Sequence, residues 1–172
     1  MKIRNFLILL TILTLSSVNF VQAHLIPAGR GTVNVIGELV YVAISLPVEV
    51  FSSERESGKV ELSTSQLNLI KTQFSKKVRF KSGDQNSVWQ EVFITWPDGT
   101  HRHQDVGNEV IVMAIAKFEG KPKSLTLLSE LRSDKSFSIS VDATITEKGK
   151  TVKKETTILT NALGEIQFFN EQ

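Results

Sequence analysis

The feature that most restricts the fold is a succession of short apolar runs, rich in β-branched residues and separated by turn-forming residues. Such runs are typical of strands, and frequent turns between them are typical of a β-sandwich or a barrel. The predicted strands span residues 32–36, 38–46, 78–80, 88–96, 109–118, 125–131, 137–146, 151–160 and 165–169. The sequence therefore predicts a mainly β fold.

One segment between these runs has helical spacing instead. Ser63 is followed three residues later by Gln66, which is the pattern of a capping box. Leu67, Ile70 and Phe74 then recur at the spacing of one helix face. We expect a single inserted α-helix at about 64–76.

For two of the strands, the sequence also predicts which faces are buried. Alternation along 88–96 puts Trp89 on the face opposite to Val92 and Ile94. The run 109–118 is almost continuously apolar, which predicts a strand covered on both faces.

The last third of the chain contains a predicted hairpin and an exposed edge. Residues 147–150 have the composition of a hairpin turn. The lysines around this turn alternate with glutamates, a pattern that protects an edge strand from pairing with other chains. They are Lys148, Lys150, Lys153 and Lys154, with Glu147 and Glu155. Phe168 and Phe169 are expected to close the core.

The first 23 residues have the order of a signal peptide. Lys2 and Arg4 precede an apolar run from Phe6 to Leu15, and small residues occupy the last and third-last positions of 21–23. The apolar run is shorter than the about 20 residues of a membrane span, and no later run comes close. We expect residues 1–23 to be removed and residues 24–172 to form a single periplasmic or secreted domain without a membrane span.

Charge and cysteine content exclude several classes of function. The formal net charge is +2, and Lys2 and Arg4 alone account for it, so the mature chain is near neutral. This removes the electrostatic reason to expect nucleic acid as a partner. The chain contains no cysteine, which excludes thiol-based catalysis and disulfides.

The three histidines form the candidate metal site. Cleavage after residue 23 would make His24 the amino terminus, where the α-amine and the imidazole can chelate one ion. His101 and His103 are two residues apart, so in an extended segment they point to the same side. Imidazole and amine nitrogens suit copper or nickel. We therefore predict a copper or nickel site at His24, His101 and His103.

A second interpretation of the same residues involves no metal. His101 and His103 flank Arg102 in a polar stretch typical of a solvated surface turn, and no sequence pattern brings residue 24 near them. On this interpretation the protein is a structural or interaction module that contacts another envelope protein.

The segment 53–64 has the outline of a calcium loop without its ligands. Gly58 and Val60 match positions six and eight of an EF-hand. Arg55 stands where a carboxylate should be, and Glu61 is the only acid at a ligand position. We expect no calcium at this degenerate EF-hand.

Four short segments carry a resemblance to a family. They are His24-Leu25-Ile26, residues 31–37, residues 44–48 and Leu62-Ser63. The chain is similar over about 24–76 to poorly characterised bacterial exported domains with a mature amino-terminal histidine and an EF-hand-like insertion, related to the periplasmic domain of HupE/UreJ-type proteins. The resemblance implies an immunoglobulin-like β-sandwich with a metal-related role.

Motifs of the common hydrolases, zinc proteases and nucleotide-binding proteins are absent from the sequence. We therefore do not expect an enzyme. The alternative is a copper-dependent oxidative enzyme with an amino-terminal histidine brace. That role needs an exposed plane of aromatic residues, whereas Tyr41, Trp89 and Trp96 are few and occur at core-like positions.

Overall fold

The computed structural model describes residues 29–51, 62–95, 109–133, 136–160 and 164–169. Within these ranges the protein has ten strands, one α-helix and one 3-10 turn at Val48–Val50. The elements are β1 Arg30–Ile36, β2 Leu39–Pro47, α1 Thr64–Lys77, β3 Val78–Ser82, β4 Gln85–Asn86, β5 Val88–Thr95, β6 Glu109–Lys117, β7 Leu125–Ser129, β8 Ser138–Glu147, β9 Lys150–Thr160 and β10 Glu165–Phe169.

The strands form two sheets. A six-stranded sheet has the order β5-β6-β2-β1-β8-β9, and a four-stranded sheet has the order β10-β7-β3-β4. Neighbouring strands are antiparallel except β1 and β8, which run parallel along the whole of β1. The sequence pattern contained no sign of this parallel pairing, because its two strands are more than 100 residues apart.

One hydrophobic cluster joins the two sheets and the helix, which confirms the mainly β fold and its sandwich character. Val33, Val35 and Val40 fill it from the six-stranded sheet, and Phe80 fills it from the four-stranded sheet. The prediction that Phe168 and Phe169 close the core is also confirmed, since each side chain is 1% exposed.

The predicted helix is confirmed, with its last residue at Lys77. Ser63 and Gln66 form the capping box, in which the Gln66 side chain accepts from the Ser63 N–H at 2.9 Å. Ile70 and Phe74 are the buried residues of the helix. No helix in the described part of the chain is long and apolar enough to cross a membrane.

The predicted facing of Trp89 is wrong because β5 contains a bulge. The register with β6 shifts between Trp89 and Glu91, so one extra residue moves Trp89 onto the inner face together with Val92. There the Trp89 ring packs 5.3 Å from Phe74 and 5.9 Å from Phe80, measured between centroids. Its indole N–H donates to the Val78 carbonyl at 2.9 Å.

The expectation that β6 is covered on both faces holds at Ile111, which is 3% exposed, and is wrong further along the strand. Met113 is 42% exposed on the outer face of the six-stranded sheet, beside Phe93 at 59%. Tyr41 is 38% exposed on the same face, so its predicted core position is wrong as well. Together with the half-buried Ile115, these side chains make up what we call the apolar half-face.

The other half of this outer face is polar. The Asn34 side-chain oxygen accepts from the hydroxyls of Thr144 at 2.9 Å and Thr146 at 3.1 Å. β9 forms the edge beyond these residues and carries the predicted lysines on an exposed strand. The predicted hairpin turn is confirmed, because Lys148 and Gly149 both have positive φ angles, as a two-residue type I′ turn requires.

Candidate functional site

The three predicted metal ligands, His24, His101 and His103, lie outside the described residues. So do the predicted signal peptide 1–23, most of the degenerate EF-hand loop, and Trp96. The structure does describe the strands that precede and follow these segments. Their positions decide whether the two histidine-bearing segments start from the same place.

The four strands next to the histidine-bearing segments each have one terminus at the same end of the six-stranded sheet. At this end β1 begins, β2 ends, β6 begins and β5 ends. Gly31 pairs with Ile44 of β2, Pro47 of β2 pairs with Glu109 of β6, and Ile111 pairs with Thr95 of β5. Residue 24 therefore precedes, and residues 101 and 103 connect, strand ends at one end of one sheet.

A carboxylate links these strand ends. The Oε2 atom of Glu109 accepts a hydrogen bond from the Gly29 N–H at 3.3 Å and a second from the Ser45 hydroxyl. Because β2 lies between β6 and β1, the Glu109 side chain reaches across β2 to the residue that precedes β1. We call Glu109, Ser45 and Gly29 the carboxylate clamp.

Gly29 is fixed on both sides of its backbone. Its N–H donates to Glu109, and its carbonyl accepts from the Ser140 N–H of β8 at 2.9 Å. Its φ of 66° lies in the left-handed region, which glycine adopts without strain. A Cβ atom at this position would also come within 3.3 Å of the Ser138 carbonyl oxygen. The backbone at the start of β1 is therefore held in one conformation.

Beside the clamp, the side chains on the outer face of the six-stranded sheet are shielded from solvent. Those of the apolar half-face, further along the sheet, are exposed. Ser45 is 2% exposed and Ile111 is 3% exposed. Ile111 points away from the core and is not a member of the hydrophobic cluster. Ser45 would be a buried hydroxyl without a partner if Glu109 did not accept from it, and an unsatisfied buried hydroxyl is costly.

Chain length sets an upper limit on how far each histidine can lie from the described strand ends. An extended chain covers about 3.3–3.6 Å per residue, so five residues from Gly29 back to residue 24 span at most about 18 Å. Residue 103 is six positions before Glu109 and residue 101 is six positions after Thr95, which allows at most about 22 Å in each case. The two starting points, Gly29 and Glu109, are in hydrogen-bond contact.

Sequence reasoning missed the role of Glu109 and Ser45. The only available signal was a lone carboxylate at the start of one apolar run and a lone hydroxyl inside another. Within the described ranges no group of three or more His, Asp or Glu side chains is arranged to hold a metal ion.

Comparison with known proteins returned no match, neither to a family model nor to a curated protein.

Proposed function

We propose that the protein is an exported metal-binding or accessory protein of the cell envelope. The α-amine and imidazole of His24 bind copper or nickel together with the imidazoles of His101 and His103. The observation that supports this proposal is the hydrogen bond between the Gly29 N–H and Glu109, which joins the starting points of the two histidine-bearing segments.

The chemistry of the donor set favours copper(II). An amine and imidazoles are nitrogen donors that fit square-planar copper(II) or nickel(II), and copper(II) binds more tightly in the usual order of divalent metals. The absence of cysteine removes thiolate as a competing ligand. We infer that the mature form binds copper(II) more tightly than nickel(II).

The proposal includes the periplasmic or secreted location and the kinship with the amino-terminal-histidine domains. The two-sheet sandwich is compatible with the immunoglobulin-like fold that the resemblance implies. Of the three clamp residues, Gly29 and Ser45 lie within the 24–76 segment that carries the resemblance, and Glu109 lies outside it. Edman sequencing or mass spectrometry of the exported protein tests the location, since removal of residues 1–23 would leave His24 first.

Copper(II) titration of the mature chain tests the site. We expect His24→Ala to abolish tight binding and His101→Ala or His103→Ala to weaken it. A chain with one glycine added before His24 is the matched control, because it keeps all three imidazoles and removes only the amine chelate. Equal affinity of the mature chain, the His24→Ala variant and the extended chain would contradict the proposal.

The apolar half-face favours a second candidate, the interaction module. Within the described ranges β5 pairs on one side only, with β6, and it carries the exposed Phe93. Phe93, Met113 and Tyr41 together expose about 300 Å², given 150–250 Å² per large side chain. A stable dimer buries about 800 Å² per partner. The area therefore fits an extended apolar segment of another envelope protein, added as a strand to β5.

Photo-crosslinking from position 93 in cells tests this candidate, with position 158 on the opposite edge strand as the control. A protein captured at position 93 is then purified and its affinity measured. We expect Phe93→Lys to abolish its binding and Ile158→Lys to leave it unchanged. Unchanged binding by Phe93→Lys would exclude the β5 edge.

A further inference from the structure

A groove lies between the two sheets at the end of the sandwich opposite to the carboxylate clamp. One wall is the β8–β9 hairpin, because β8 runs parallel to β1 and ends here, where Glu147 pairs with Lys150 of β9. The other wall is residues 121–123, which connect β6 to β7. The volume of the groove is about 460 Å³, which is within the range of about 300–1,000 Å³ for small-molecule sites.

Three apolar side chains line part of the groove. Pro122 is buried, and Ile145 is partly buried against the hydrophobic core. Val152 is supplied by a bulge, because the register of β8 with β9 shifts between Ile145 and Thr146 and leaves Val152 without a partner on β8. The Val152 side chain is 57% exposed. The groove therefore offers apolar surface that the apolar part of a ligand can cover.

The polar lining carries a net positive charge. It consists of Lys121, Lys123, Lys153 and Glu147. The Lys121 ammonium pairs with the Glu147 carboxylate, and this hydrogen bond, together with the charge of Lys121, lowers the pKa of Glu147. Glu147 is therefore ionised and offsets one of the three ammonium charges. The remaining net charge of the lining is +2, which attracts an anion.

Both walls are fixed by contacts within the protein. Ser124, which follows the lysine wall, donates its N–H to the Ser82 hydroxyl at 3.3 Å, and its own hydroxyl accepts from the Gly83 N–H at 3.3 Å. On the hairpin, the Lys153 ammonium lies 5.3 Å from the centroid of the buried Phe169 ring. Its nearest carboxylate, Glu155, is 3.9 Å away, beyond hydrogen-bond distance. A site whose walls are already ordered loses less entropy when a ligand binds.

We propose that this groove binds a small amphiphilic anion of the aliphatic carboxylate class. The anionic group pairs with Lys123 and Lys153, and the aliphatic chain covers Ile145 and Val152. The net charge of the lining disfavours a cation, and its apolar part gives no advantage to a small inorganic ion. This inference does not depend on the proposed metal function, because the groove and the histidine-bearing segments are at opposite ends of the six-stranded sheet.

An NMR titration of the mature chain with octanoate, without added metal, tests the proposal. We expect amide shift changes concentrated in residues 121–123 and 145–153. Octanol keeps the chain without the charge, and acetate keeps the charge without the chain. Each buried methylene strengthens binding up to about 4-fold, so acetate should bind far more weakly than octanoate. Octanol should also bind more weakly, because it cannot pair with the lysines.

Substitution of single lysines locates the anionic group. Lys123→Gln and Lys153→Gln should each lower octanoate affinity up to about 5-fold, as expected for partly exposed ion pairs. Lys154→Gln is the matched control, because Lys154 pairs with Thr144 on the outer face of the same hairpin and should leave the affinity unchanged. Val152→Asp places a negative charge in the groove and should abolish binding.

Three results would overturn the proposal. Octanol binding as tightly as octanoate would show that the lysines take no part. Shift changes concentrated on the apolar half-face would place the ligand elsewhere on the protein. Absence of shift changes at millimolar octanoate would show that the groove does not accept this class of anion.

Discussion

At the scale of single residues, Gly29 and Gly31 have different structural roles although only one residue separates them. Gly29 lies at a turn, with its positive φ. Gly31 lies inside β1, on the inner face, where a Cβ atom would come 2.9 Å from Ile44 Cγ1 and 3.1 Å from Val141 Cγ2. Gly31 is therefore required by close packing between β1 and its neighbours β2 and β8.

Substitution of Gly31 by alanine should destabilise the protein. The added methyl group forces Ile44 and Val141 apart in a packed core, and overpacking of this kind costs about 1–3 kcal/mol. Gly120→Ala is the matched control, since nothing lies within 4 Å of a Cβ atom there. Urea unfolding should show a lower midpoint for Gly31→Ala and little change for Gly120→Ala. Equal midpoints would mean that the core yields around the methyl group.

At the scale of elements, the two edges of the six-stranded sheet differ. β9 is an exposed edge with charged side chains, including Lys153 and Lys154, whereas β5 exposes Phe93 and carries Glu91 as its one charge. Charged edge strands resist pairing with other chains. The β8–β9 hairpin also contains a cross-strand contact of the Asp142 carboxylate. One carboxylate oxygen accepts from the Thr156 hydroxyl at 2.6 Å, and the other lies 3.7 Å from Lys154 Nζ.

The hairpin should contribute a pH-dependent term to stability. The hydrogen bond from Thr156 lowers the pKa of Asp142 below 3.8, helped by the charge of Lys154. A carboxyl with a lowered pKa stabilises the folded state above pH 3.8 and loses this contribution as the pH falls through its folded-state pKa. Thr156→Val should therefore be less stable than wild type at neutral pH, and the difference should shrink in acid.

Urea unfolding from neutral pH to well below pH 3.8 measures this effect. Thr160→Val, an exposed threonine of the same strand, is the control. A difference between Thr156→Val and wild type that stays constant over the whole pH range would show that the hydroxyl stabilises by packing and not through the charge of Asp142.

At the scale of the whole molecule, one end of the six-stranded sheet collects several strand ends that are distant in the sequence. β1 reaches β8 through a parallel pairing, and β6 reaches Gly29 through the clamp. A ligand held by segments that leave this end would therefore couple to the unfolding of the whole sheet, because both segments must stay in place for it to bind.

Copper(II) should raise the unfolding temperature of the mature chain. A ligand that binds only the folded state stabilises it by RT ln(1 + [L]/Kd), which is about 2.7 kcal/mol at 100 times Kd. We expect this shift in calorimetry for the chain that begins at His24 and not for the chain extended by one glycine. The same shift in both chains would indicate binding elsewhere.

Much of the secondary structure followed from the sequence, because strands and helices depend on local periodicity and on local turn chemistry. The capping box at Ser63, the hairpin turn at Lys148 and Gly149 and the position of β10 are examples. The bulge in β5 was missed because a single extra residue leaves the composition of the strand unchanged while it exchanges the two faces. That choice depends on whether Trp89 can pack against Phe74, a contact between separate elements.

The sequence by itself determined the residue types on which any metal site depends, which are three histidines and no cysteine. It also determined the alternation of apolar and polar residues that favours β-strands. Only the tertiary structure decided that Gly29 and Glu109, 80 residues apart, meet at one end of one sheet. The physical reason is that periodicity specifies which face of a strand is apolar, whereas strand order follows from how all the faces pack together. The clamp exists only after that order is formed.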